Sequence, residues 1–164
     1  MGISAKAGVL AVSAVVAGVA LVSSGTLDAA MKIQEAVKAR GEAMKSLSAD
    51  MKEISAFVKD GKGTTATVAD KALEIVATAK QIPILFPKGS GRGDLSDKET
   101  RALPKIWSDW PGFENASTAL VVEAGKLAEF AKAGEKGPIA DQFAVLGKVG
   151  CGGCHKDYRG AKAK

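Results

Sequence analysis

Between residues 33 and 58 of this 164-residue chain, apolar residues recur in alternating steps of four and three. The stripe consists of Ile33, Val37, Met44, Leu47, Met51, Ile54 and Val58. This heptad spacing predicts a helix with one apolar seam, which has to pack lengthwise against other helices. The register requires an apolar residue at position 40, but Arg40 occupies it, so a charge lies on the face directed at the core.

The remaining chain supplies partners for that seam. The turn sequence DGKG at 60–63 separates the first helix from a second, which makes the two antiparallel neighbours. Four prolines and the sequence GSGRGD interrupt the helical pattern over residues 83–111, which predicts a long crossover. The predicted helices cover about residues 33–58, 65–81, 113–131 and 138–159. The sequence therefore predicts an all-α fold, an antiparallel four-helix bundle with a long middle crossover.

An export signal is expected ahead of the bundle. Lys6 precedes an uncharged stretch of Ala, Val, Gly and Leu at 7–24, and the small residues of LDAA follow. Cleavage after Ala29 or Ala30 would divide the chain into a signal peptide, 1–30, and a bundle domain, 31–164, in the periplasm. The alternative is a retained membrane anchor, because the stretch is just long enough to cross a hydrocarbon core of about 30 Å.

Both cysteines and the single histidine lie within five positions, as Cys151, Cys154 and His155. On a helix the three side chains share one face. Two thiols can form thioethers with the vinyl groups of a haem while the adjacent imidazole ligates the iron, so the motif predicts one covalent haem c. Three alternatives fit less well. A disulfide between the two cysteines would close a very small loop and stabilise little, and structural zinc needs four ligands where the motif offers three. A thioredoxin-like pair stands at a helix start beside a βαβ unit, whereas this one is near the end of the last helix of an all-α chain.

Three segments resemble the class II c-type cytochromes, the cytochrome c′ family. They are CGGCHKDYR at 151–159, AVKARGEAMKSL at 36–47 and RALPKIW at 101–107. The similarity covers about residues 31–160 and implies a haem held inside a four-helix bundle, commonly in a homodimer joined through the first two helices. The pair Gly152-Gly153 departs from the Lys-Ala type of filling that is more usual in the family.

The resemblance also implies roles for residues around the motif. Arg40 would lie by the haem propionates, although such a side chain can also extend to water from the edge of a bundle. Met44 would lie over the open face of the iron, as a ligand or merely as a blocking group, whereas its alternative role is core filling. Arg159 would lie by the proximal histidine, or else contact helix carbonyls, and Trp107 would line the pocket.

A methionine sulfur on the iron would favour electron transfer. We therefore expect a periplasmic one-electron carrier that meets redox partner proteins, with a five-coordinate protein binding NO or CO as the alternative. No pattern marks a substrate pocket or an acid–base pair, so we expect neither catalytic residues nor an enzyme. The net charge of +5 is spread among interspersed acidic residues without an aromatic-basic array, so no nucleic-acid partner is expected.

Overall fold

The computed structural model describes Met1 and residues 24–163. Its α-helices are α1 (Ser24–Asp60), α2 (Thr65–Gln81), α3 (Lys105–Ser108), α4 (Trp110–Ala133), α5 (Lys136–Val145) and α6 (Gly153–Tyr158). A 3₁₀ turn, Pro83–Leu85, follows α2, and a π-helical segment, Leu146–Gly152, joins α5 to α6. α5, the π segment and α6 follow one another without a break and together form one long helix. With α1, α2 and α4 this gives four long helices among the described residues. The predicted all-α antiparallel bundle is confirmed, with its crossover between α2 and α4.

The expected export signal lies mostly at residues 2–23, outside the described residues. α1 begins at Ser24, so the expected cleavage point falls inside its first two turns. The division into 1–30 and 31–164 stays a prediction. Within residues 24–163, no helix combines the length and the hydropathy needed to span a membrane.

The centre of the core lies between α2 and α4. Its fully buried side chains alternate between alanine and larger residues, and the alanines allow the two helices to approach closely. The buried residues of these helices include Val68, Ala72, Ile75 and Ala79 from α2, and Phe113, Leu120, Ala124 and Leu127 from α4. The hydroxyl of Ser117 donates to the carbonyl of Ala79 at 3.0 Å, so the buried polar group is satisfied. The apolar spacing predicted for both helices is therefore confirmed.

The last helix differs from its prediction as one uninterrupted α-helix. α5 begins at Lys136, before the expected start near Pro138, and residues 146–152 adopt the wider π-helix. Glycine makes this departure possible, because Gly150 lies directly against α4. A Cβ added there would stand 3.1 Å from Leu120 Cδ1. Such π segments occur frequently at functional sites, and this one includes Cys151.

A buried carboxylate joins α1 to α2. Asp50 is only 3% exposed, and its Oδ1 lies 3.7 Å from the Lys71 ammonium, which also donates to Glu74 at 2.8 Å. Burial and then the neighbouring Glu74 raise the pKa of Asp50, while the hydrogen bond with Glu74 raises the pKa of Lys71. One ammonium therefore compensates two carboxylates, one of them desolvated.

We expect Lys71→Met to lower the free energy of unfolding at pH 7, because it leaves the Asp50 charge without its cation. The deficit should be smaller at about pH 4, since a carboxyl with a raised pKa is more fully protonated in acid than an ordinary one and then no longer carries the uncompensated charge. Urea unfolding of the haem-loaded protein at both pH values measures this. The control Lys45→Met removes an exposed ion pair with Glu42 and should change little. An equal deficit at both pH values would contradict the explanation.

Candidate haem site

The two thiols lie where the π segment passes into α6. Cys151 and Cys154 are half-buried and pack against the hydrophobic core as free cysteines. Burial raises the pKa of the Cys151 thiol, and burial together with Cys151 and Asp157 raises the pKa of Cys154 to about 11. Both sulfurs are therefore protonated at pH 7. A dithiol exchange motif requires a thiol with a lowered pKa, so this environment disfavours a thioredoxin-like role.

His155 follows Cys154 in α6 and keeps contact with solvent. Partial burial, and then the charges of Arg159 and Arg101, lower the pKa of its imidazole. The ring is therefore neutral at pH 7, which is the form that ligates a metal. Among the described residues, no group of three or more His, Cys, Asp or Glu side chains is arranged to hold a metal ion, so the donor set of a structural zinc site is missing there.

Arg40 lies inside the bundle, as the heptad register predicts. The residue is 7% exposed, and its guanidinium packs over the Phe86 ring at 4.6 Å while Nη2 donates to the Ser90 carbonyl at 2.8 Å. Burial lowers the pKa of Arg40 to about 10, so the group is a cation at pH 7. Its Nη1 is buried without a hydrogen-bond partner in the described chain. A buried cation with a free donor fits a carboxylate such as a haem propionate, whereas an arginine reaching for water does not fit this burial.

The crossover is closely packed beside Arg40. Ser90 is fully buried and its hydroxyl donates to the Pro87 carbonyl at 2.6 Å. Trp107 is half-buried and its indole N–H donates to the Phe86 carbonyl at 3.0 Å. A Cβ on Gly91 would overlap the Trp107 ring, so only glycine fits at this position. Trp107 thus braces the loop that carries the contacts of Arg40.

A chain of aromatic contacts links this loop to α6. The ring of Phe113 lies 4.8 Å from that of Phe86 and 5.4 Å from that of Tyr158, both edge to face. The Tyr158 hydroxyl donates to Asp109 Oδ2 at 2.8 Å, and Asp109 also caps α4 by accepting from the Gly112 amide. Sequence reasoning missed Asp109, although its place directly before the Trp-Pro start of α4 is an N-cap signal.

The remaining candidate residues, Met44 and Arg159, lie in different parts of the bundle. Met44 is half-buried one helical turn after Arg40 on α1 and packs against the core. Arg159 is exposed just beyond α6, in an extended segment whose backbone pairs with Ala102. The structure thus groups Cys151, Cys154, His155 and Arg159 around α6, and it groups Arg40, Trp107 and Met44 around the crossover and α1.

Two half-buried thiols and a neutral imidazole on one helix, together with a buried cation that lacks a partner, fit a c-type haem in an α-helical bundle. A family model described as Cytochrome C′ matches residues 35–159. The chain therefore belongs to the cytochrome c′ family and carries one covalently bound haem c.

Individual relatives agree with this assignment. The cytochrome c′ of Halomonas halodenitrificans is 39% identical over 75 residues, which cover 45% of this chain and 56% of that protein. The solved cytochrome c prime of Shewanella frigidimarina is 31% identical with a TM-score of 0.68, covering 79% of this chain and 97% of that one. A solved cytochrome c′ with ligand-controlled dimer dissociation is 26% identical with a TM-score of 0.69, at the same coverage of 79% and 97%. The chain thus spans little more than half of its Halomonas relative.

The single tyrosine allows a direct test of the Tyr158–Asp109 contact. Burial and the Asp109 carboxylate raise the pKa of Tyr158 to about 12, so tyrosinate absorbance should be nearly absent at about pH 11. Asp109→Asn should bring ionisation to lower pH, because the negative charge beside the phenol is lost, and it should lower the Tm modestly, because a charge-assisted hydrogen bond becomes a neutral one while Asn still caps the helix. The control Asp141→Asn replaces an exposed carboxylate elsewhere. Equal tyrosine titrations in all three proteins would refute the contact.

Proposed function

We propose that Cys151 and Cys154 bind the haem through two thioether bonds and that His155 is the proximal iron ligand. Each bond forms when a thiol adds across a vinyl group, the sulfur taking one carbon and the hydrogen the other. The arrangement of the half-buried thiols and the neutral imidazole supports this assignment. The free Nη1 of Arg40 supports placing a propionate beside that guanidinium. The charge of Arg159 acts on His155, and this proximity supports a proximal role for Arg159.

Mass spectrometry of protein matured with haem-attachment machinery should give the chain plus one haem. The single variants Cys151→Ala and Cys154→Ala should each keep one covalent bond, whereas the double variant should lose its haem on denaturation. Covalent haem in the double variant, or a colourless wild-type product, would overturn the assignment.

We infer further that the protein is a periplasmic one-electron carrier. When bound, the haem supplies a one-electron redox couple. The observation that carries this inference is the position of Met44, one turn from the buried Arg40 on the same face of α1. A thioether in that position suits axial ligation, and a ligand that keeps the iron coordinatively saturated favours electron transfer. We expect no catalysis on an organic substrate.

One observation favours a second function, the binding of NO or CO to a five-coordinate iron. Met44 is among the partly buried side chains that pack against the core. A methionine held by core packing can fill space without reaching the iron. The position open to a gas would then lie on the Met44 side of the haem.

Optical and electron-paramagnetic-resonance spectra, recorded with and without CO, distinguish the two functions. The carrier should be low-spin and indifferent to CO, and Met44→Ala should convert it to a high-spin form that binds CO. Met51→Ala is the matched control, since Met51 is a half-buried methionine two turns further along the same seam, and it should leave both spectra unchanged. A high-spin wild-type protein that binds CO would support gas binding and contradict ligation by Met44.

We also propose a homodimer formed through α1 and α2. Support comes from the similar cytochrome c′ whose dimer dissociates under ligand control. α2 exposes Leu73 to 43%, and an apolar side chain of this kind suits an interface. A periplasmic location is proposed with it, or a membrane-anchored one if the signal is retained.

Sedimentation at micromolar concentration should show a dimer for the wild-type protein and a monomer for Leu73→Glu. Val122→Glu is the matched control, because Val122 is similarly exposed, at 45%, but lies on α4. A monomeric wild-type protein would rule out the dimer. Dissociation of the Val122 variant alone would move the interface to α4.

A further inference from the structure

Arginine side chains hold the C-terminal segment against the crossover. Arg101 Nε donates to the Gly160 carbonyl at 2.8 Å, and Arg92 donates to the carbonyls of Ala161 and Thr100. Backbone bonds support the same contact, with the Gly160 amide donating to the Arg101 carbonyl at 2.7 Å. The residues that follow α6 are therefore fixed beside the crossover instead of extending away from the bundle.

This arrangement gathers positive charge at one end of the molecule. We define the C-terminal cationic surface as Arg101, Lys105, Lys156, Arg159 and Lys162. Burial and then the charges of Arg159 and Arg92 lower the pKa of Arg101, which shows that these cations act on one another. Asp157 pairs with Lys105 at 3.6 Å. Within the described residues, no carboxylate lies at ion-pair distance from the other four members.

Exposed lysines on the long helices are arranged differently. Some exposed lysines there pair with a glutamate one turn away, as Lys45 does with Glu42, Lys126 with Glu123 and Lys132 with Glu129. Others are exposed without an ion pair among the described residues, such as Lys38, Lys52 and Lys80. The C-terminal surface differs because the contacts of the segment after α6 bring cations from several elements together at one place.

We propose that the C-terminal cationic surface is the docking site for an acidic face of a redox partner protein. Arg159 follows α6 directly and is only four residues from His155, so this surface lies beside the helix that carries the proposed iron ligand. Its cations come from the crossover, α3, α6 and the segment after α6, and this spread matches a protein face better than a single small anion. The proposal rests on the proposed carrier function, because docking here would bring a partner next to the proximal side of the haem.

The test is stopped-flow reduction of the ferric, haem-loaded protein by the hydroquinone of an acidic flavodoxin. The variant Lys156→Glu/Lys162→Glu reverses two exposed charges and leaves Arg159 and the arginine contacts intact. Its second-order rate constant should fall about tenfold at low ionic strength and approach the wild-type value at high salt. Free flavin hydroquinone, which has no protein surface, should reduce both proteins at equal rates.

The matched control Lys59→Glu/Lys136→Glu makes the same change in net charge at the opposite end. Lys59 is in the last turn of α1, and Lys136 lines a cavity with Phe57 and Gly61. The 24 residues of α4 separate the two ends by about 36 Å, which is about one Debye length at 0.01 M salt and several at 0.1 M. At low salt the rate constant of this control should therefore fall clearly less than that of the Lys156/Lys162 variant, and at about 0.1 M salt it should change by less than about twofold.

Equal losses in the two double variants would overturn the proposal, since only net charge would then matter. No loss in the Lys156/Lys162 variant would also overturn it. These outcomes are separate from the carrier function, which fails instead if the wild-type spectra are high-spin and change with CO. Reversal of Lys156 and Lys162 should leave those spectra unchanged, because neither side chain is a proposed iron ligand.

Discussion

The buried guanidinium of Arg40 constrains the region around it more than any other group. Desolvating a cation is costly, so its neighbours have to compensate for the water that it loses. The Ser90 carbonyl and the Phe86 ring do so in part, and both belong to the crossover. The crossover must therefore return to α1 and stay there, which explains why Trp107 braces it. The N–H that the protein leaves unsatisfied suits an anion, and this is the reason for proposing a haem propionate beside it.

Phe113 connects this constraint to α6, the helix of the proposed haem attachment. Phe86 contacts one part of its ring and Tyr158 another, so the crossover and α6 pack on the same fully buried side chain. Asp109 then fixes the Tyr158 hydroxyl and caps α4 with the same carboxylate. A substitution at any of these positions would therefore disturb the packing around Arg40 and around α6 together, although the two are far apart in sequence.

The sequence predicts those features that depend on local signals. α2 spans Thr65–Gln81 as expected, because Thr64 caps its start and Pro83 follows its end. Spacing alone also places Arg40 on the core-facing stripe of α1, but its burial is expected only with the resemblance to a haem protein, because the spacing leaves extension to water open. The π segment could not, because it depends on how closely Gly150 approaches Leu120 on another helix. The Tyr158–Asp109 bond and the arginine contacts with the C-terminal segment also join residues more than 45 positions apart, and no local pattern specifies such pairs.

Burial of the last helix also determines which chemistry its motif can perform. Contact with α4 through Gly150 brings the start of the motif against the core, and burial is the largest cause of the raised pKa values of both thiols and of the lowered pKa of His155. The same burial therefore suppresses the thiolate that disulfide exchange needs and maintains the neutral imidazole that metal ligation needs. An exposed Cys-x-x-Cys-His sequence would have the same two biases at pH 7 but more weakly, because the ordinary pKa values are about 8.5 for a thiol and about 6.5 for an imidazole. The packing of the helix, as much as the identity of its residues, thus favours haem attachment over dithiol chemistry.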